Sequence, residues 1–283
     1  MYQAATFLFW TSFCGLLMAS VVYAHEIIRR KQATKPVARV LSVISWIALT
    51  ASIGLASAYH GGTQLTGPNT LVLLAWALIL VYFILGFFLK FKRYGALHIP
   101  LAAALLFVAQ IIRPAADSIA PYPEAFSAQM DSAMIGYHVL LITFANALFL
   151  VGSIAAALYT YQAQALSKKK TNALLKSLPP LANIEKLWVR VLSVGLPIYF
   201  AGQMLGVTRA IAVDAPSWYL DVRMMLSGAI LIVFSAALYL YYRGKTDIVL
   251  IARIALVGAA LVIVLMILAR TLPVGFHVFG VFG

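Results

Sequence analysis

Runs of about 20 apolar residues recur along this chain, separated by short stretches that gather most of its charge. A run of that length is what a helix needs to cross ~30 Å of hydrocarbon. The pattern predicts eight spans, at roughly 4–24, 38–59, 70–89, 95–112, 134–160, 189–209, 223–242 and 249–271. The expected fold is therefore all-α, a single eight-span membrane domain covering 1–283. Three connections stand out: 113–133, with Pro121, Tyr122 and Pro123; 161–188, in which a short interfacial helix is expected after Pro179 and Pro180; and 208–223. Within span six, Gly202 and Gly206 have the spacing that lets a neighbouring helix come close. No internal repeat is evident, which weighs against the repeat-built transporter folds.

The basic residues sort by side. Seventeen of the 21 fall after spans one, three, five and seven: Arg29, Arg30, Lys31, Lys35 and Arg39; Lys90, Lys92 and Arg93; Lys168, Lys169, Lys170, Lys176, Lys186 and Arg190; Arg243, Lys245 and Arg253. The positive-inside rule then places these loops in the cytoplasm and both termini outside. On that topology 113–133 and 208–223 are outer loops and 161–188 is a cytoplasmic one. Met1 to Gln3 carry no basic residue, whereas Arg29 to Lys31 follow the first apolar run. That order reads as a retained span and not as a secretory signal.

Composition agrees with the pattern. The chain is 63% apolar and 10% charged, far below the ~25% charged of a soluble domain. Its net charge of +13 thus reports topology and no nucleic-acid partner. The single cysteine, Cys14, lies within a span, which excludes internal disulfides, cysteine zinc clusters and C-x-x-C-H heme attachment.

The other four basic residues, Arg113, Arg209, Arg223 and Arg270, fall near the outer ends of spans four, six, seven and eight. Snorkelling to the headgroups accounts for any one of them. All four being arginine also suits bidentate binding of carboxylates or phosphates. The stretch from Thr208 to Arg223 adds Asp214, Trp218 and Asp221, and charge clustered at a membrane face is a site hypothesis by default. His60, His138 and His277 are expected on the same outer face, His25 and His98 at the inner ends of spans one and four. No H-x-x-x-H or H-x-x-H pair is present to start a zinc site. Heme iron asks for one or two imidazoles, an apolar and aromatic wall, and cations for the propionates. A quinol site asks for similar parts, and the composition leaves both open.

From span five onward the sequence resembles the heme-handling cytochrome c assembly proteins of the CcsA/CcmC type, including the smaller HemX-like members. The matching pieces are G-Y-H-V opening span five, L-P-P-L-A-N-I-E-K-L-W-V-R-V-L-S-V-G-L-P entering span six, and the tail L-P-V-G-F-H-V-F-G. They cover about the C-terminal half; spans one to four share only the general layout. The resemblance implies that an outer tryptophan-rich loop holds heme b between two external histidines, by position His138 and His277. Trp218 would stack on the ring, and Arg209, Arg223 and Arg270 would meet the propionates. Asp221 belongs to the same loop, and His60 is the alternative iron ligand. His25 and His98 would form a second, inner heme site, as paired membrane histidines do in some relatives.

The loop here keeps only S-W-Y-L-D-V-R, without the tryptophan- and glycine-rich run of a complete cytochrome c synthase. That trimming is nearer the HemX-like members, argues against the synthase reaction, and leaves no catalytic residue to assign. The implied function is handling or translocation of heme b at the outer face of a bacterial cytoplasmic membrane. Its implied partners are heme, the bilayer, and a ResB/CcsB-type protein or apocytochrome c. Two rivals stand beside it: a HemX-type regulator of tetrapyrrole synthesis acting on glutamyl-tRNA reductase levels, and a small-solute transporter.

Overall fold

The computed structural model describes residues 1–29, 35–60, 67–88, 95–117, 133–169, 175, 178–212 and 218–271. Among them are eight long helices and no strand: α1 Tyr2–Arg29, α2 Lys35–Tyr59, α3 Gly67–Phe88, α4 Gly95–Asp117, α5 Ala133–Ser167, α6 Leu181–Ala212, α7 Val222–Arg243 and α8 Ile248–Thr271. All eight are long and apolar enough to cross a membrane, so this is an all-α multi-pass membrane protein. Local signals set several ends. Pro36 and Pro68 sit in the first turns of α2 and α3, where a missing N–H costs nothing. Gly244 ends α7 at φ 68°, in the left-handed region, and its N–H donates to the Tyr241 carbonyl.

The helices form two compact units, 1–122 and 123–283. In the first, α1 packs between α2 and α4, α4 also packs on α3, and α3 is buried over more of its length than the others. Polar and aromatic pairs tie α3 in. Trp76 stacks on Trp46 at 5.6 Å and donates its indole N–H to Thr50 Oγ1 at 2.8 Å. Towards the opposite end of α3, the hydroxyls of Tyr23 and Tyr82 meet at 2.6 Å.

In the second unit α5, α6, α7 and α8 close into a four-helix ring. Phe149 is its hub, 4.3 Å from the Phe234 ring and 5.3 Å from that of Tyr199. The α5–α6 contact is an antiparallel zipper through small residues. A Cβ on Gly195 would press on Phe149, one on Gly152 on Leu192, and one on Gly202 on Ile142. Close helix contact at Gly202 and Gly206, expected from their spacing, is what the structure has.

One expectation needs correcting. The residues after Pro180 do not form a separate interfacial helix; they are the first two turns of α6, continuous with its span. Ile184, Leu187, Trp188 and Val191 give the reason: this i, i+3, i+4, i+7 stripe is buried, so the segment is held in the helix by packing. The polar residues interleaved with it, Glu185, Lys186 and Arg190, break up the unbroken apolar run that marks a span in the sequence. At the facing end of α5, Gln162 Nε2 donates to the Pro179 carbonyl at 3.2 Å, and the hydroxyl of Tyr241 in α7 donates to Glu185 at 3.0 Å.

Candidate functional site

His138 lies in the second turn of α5, and the α6 residues it meets are glycines for a steric reason. A Cβ on Gly206 would come within 2.9 Å of His138 Cε1 and 3.1 Å of Nδ1, so the imidazole lies in the notch that this glycine leaves. Its Nδ1 is 2.7 Å from the Gly202 carbonyl oxygen. A carbonyl only accepts, so the ring nitrogen facing it carries the proton. The ring is thereby fixed as the tautomer with its lone pair on Nε2, the arrangement that a backbone carbonyl behind the ring gives to metal-binding imidazoles.

From the other side of α6, α7 brings Arg223. Asp221 caps α7: its backbone is extended (φ −61°, ψ 124°) and its carboxylate accepts from the Arg223 N–H at 2.8 Å. That cap starts the helix so that Arg223, only 6% exposed, points inwards. One turn further along the same face, Ser227 Oγ accepts from the Tyr199 hydroxyl at 3.3 Å. On α6, Gln203 is one turn from Tyr199 in the same direction, buried, and within reach of that hydroxyl. His138 and Arg223 therefore approach α6 at nearly the same level, within about one turn or ~5 Å along the axis. Arg209, half-buried, occupies the last turn of α6. Trp218 opens the 3₁₀ turn Trp218–Leu220 just before α7, half-buried and edge-on to Tyr219. Five expected site residues (His138, Arg209, Trp218, Asp221 and Arg223) thus share one end of the second unit.

The others lie elsewhere. His60 belongs to the first unit, exposed and edge-on to Tyr59 at 5.0 Å, where it helps line a cavity. His98 is buried and stacks on Tyr82 at 6.0 Å, while His25 is exposed on α1. Arg270 is in the last turn of α8, which returns to the His138 end of its unit. His277 and Asp214 lie outside the described residues. Tyr199, Gln203 and Ser227 were not expected at the site. The signal for them was present, since a polar side chain inside an apolar span must find a partner there.

Among the described residues no group of three or more His, Cys, Asp or Glu side chains is placed to hold a metal ion. An iron porphyrin needs no such cluster, only an axial imidazole, an aromatic surface and cations. His138, Trp218, Arg209 and Arg223 are groups of those kinds.

Comparison with known proteins decides the family: residues 67–277 match the one described as cytochrome C assembly protein. The chain belongs to that family. The match to the cytochrome c assembly proteins begins at the start of α3, well before span five, where the sequence pieces first show it. A HemX protein of Brevibacillus brevis is 30% identical over 120 residues, 42% of this chain and 44% of the relative. The aligned part is thus less than half the length of that relative. Cytochrome c carries heme, and a membrane protein of its assembly is heme-related in that sense.

Proposed function

We propose that the chain binds heme b at the His138 end of its second unit and passes it on during cytochrome c assembly, with that end on the outer face of a bacterial cytoplasmic membrane. The observation that carries this reading is His138 itself, seated in the Gly206 notch with its Nδ1–H committed to the Gly202 carbonyl. That hydrogen bond fixes the tautomer and orientation of the ring, as it does in metal-binding imidazoles. His277 lies six residues beyond the end of α8 in sequence and outside the described residues, and its pairing with His138 rests on the resemblance to the heme-handling family alone. Arg209, Arg223 and Arg270 serve the propionates and Trp218 covers a ring face. Asp221 acts through the helix cap that orients Arg223.

The bound heme supplies an absorption spectrum, and that spectrum is the test. Protein purified with heme should show a low-spin Soret band, because two imidazoles give a strong ligand field. His138→Ala or His277→Ala should turn it high-spin or lose heme. Spectra unchanged in both variants would remove these residues from the iron and move the reading to His60 or to His25 and His98.

The resemblance to HemX-like members implies a second reading, a membrane regulator of tetrapyrrole synthesis acting through the basic loops. Deleting the gene separates the two. Loss of c-type cytochromes supports assembly, whereas altered glutamyl-tRNA reductase levels with normal cytochromes support regulation.

A further inference from the structure

The first unit has a cavity of its own, about 160 Å³, at the end where α3 begins and α2 and α4 finish. Its lining changes character with depth. At the rim stand His60, Asn69, Gln110 and Arg113; one to two turns further in are Phe9, Ile53, Val72 and Leu73, together with Thr6 and Ser52, whose hydroxyls already donate to the Tyr2 and Ala5 carbonyls. At 1.5 Å per residue the apolar floor begins about 5–10 Å below the polar rim. Arg113 is half-buried, and its Nη2 donates to Asn69 Oδ1 at 3.2 Å, which holds the guanidinium over the mouth. Among the described residues of the lining, Arg113 is the one that carries a full charge. The first turn of α3, with Asn69, adds the positive end of a helix dipole.

We propose that this cavity binds the oxyanion head of a membrane amphiphile, with the first part of its apolar chain on the floor below. A free inorganic anion would leave the apolar floor unused. A macrocycle is too large, since ~150 Å³ holds about one benzene ring. A charged head with only the first few carbons behind it matches both the volume and the polarity gradient, and the rest of the amphiphile stays outside the cavity. The head is a lipid phosphodiester or a fatty-acid carboxylate, and both suit the planar fork of arginine. The site is in the other unit from His138 and does not depend on the heme reading.

Native mass spectrometry of the full chain, released from detergent and titrated with phosphatidylglycerol, tests this. Wild type should retain one phosphatidylglycerol well above phosphatidylcholine. Arg113→Gln should weaken retention about tenfold, the scale of one charge-assisted contact, with Arg113→Lys in between. Ala56→Phe, which fills the cavity and leaves Arg113 in place, should abolish retention, while circular dichroism shows both variants still helical. If oleate displaces phosphatidylglycerol in wild type but not in Arg113→Gln, the site takes carboxylates as well; if oleate has no effect, it is selective for the phosphodiester. Equal retention of the two phospholipids by wild type, or unchanged retention in both cavity variants, overturns the proposal. A His138→Ala protein that loses heme should bind phosphatidylglycerol as wild type does, which keeps the two readings separate.

Discussion

Gly206 determines where the His138 ring can lie. Adding one methyl there puts a carbon 2.9 Å from Cε1, so the ring must tilt away from the Gly202 carbonyl. Gly206→Ala is expected to cost about 1–3 kcal/mol of stability, as overpacking does, and to lower heme content in a Soret measurement. Gly228→Ala, where nothing lies within 4 Å, should leave heme content unchanged and raise stability by up to about 1 kcal/mol, and so controls for helix propensity. Arg270 tests the propionate reading against snorkelling. Snorkelling is open to lysine, whereas paired contacts with a carboxylate need the guanidinium fork. Arg270→Lys should therefore lower heme occupancy with expression intact, and Arg270→Gln should lower it further; equal occupancy in all three leaves the clamp to Arg209 and Arg223. His138 was legible from its place at a span end, and the glycines from their spacing. The bond between them was not, because it depends on the register of two helices 64 residues apart in sequence.

Two helices exceed what crossing a membrane requires. At 35 and 32 residues, α5 and α6 reach about 50 Å, against ~30 Å of hydrocarbon. The excess lies at the end away from His138, where Trp188 is fully buried. Its indole N–H makes no hydrogen bond among the described residues, so it contributes by packing, which includes an edge-on contact with Tyr241 at 5.8 Å. Trp188→Ala should cost about 3–5 kcal/mol and Trp188→Phe well under half of that, read as unfolding temperature in detergent. A similar loss in both would mean that the indole N–H has a partner. Sequence reading located both spans and stopped them short at this end. Apolar runs reveal a helix in lipid, but a helix leaving lipid becomes amphipathic, and its buried stripe then looks like loop.

Eight crossings with charge on alternate connections make a claim about the whole molecule. Both termini should be outside and Thr171 inside. A cysteine introduced at Gly283 should react with an impermeant reagent in intact cells, on a Cys14→Ser background, and one at Thr171 should not. The opposite labelling would turn the His138 end towards the cytoplasm and undo the assignment of an outer heme site. The eight span-length helices among the described residues were all readable, since each run is long enough by itself. Their division into two units, 1–122 and 123–283, was not, because it depends on which helices pack together.

The acceptor for His138 is main chain, a group that side-chain replacement leaves in place. Drawing on the Nδ1–H pushes electron density across the ring to Nε2, making the imidazole a stronger donor. On the proposed reading, such a donor favours the ferric over the ferrous state and lowers the reduction potential. The residue that tunes this redox poise is then a glycine with no chemistry of its own. A spectroelectrochemical titration of Gly206→Ala should find the midpoint of whatever heme remains shifted upwards.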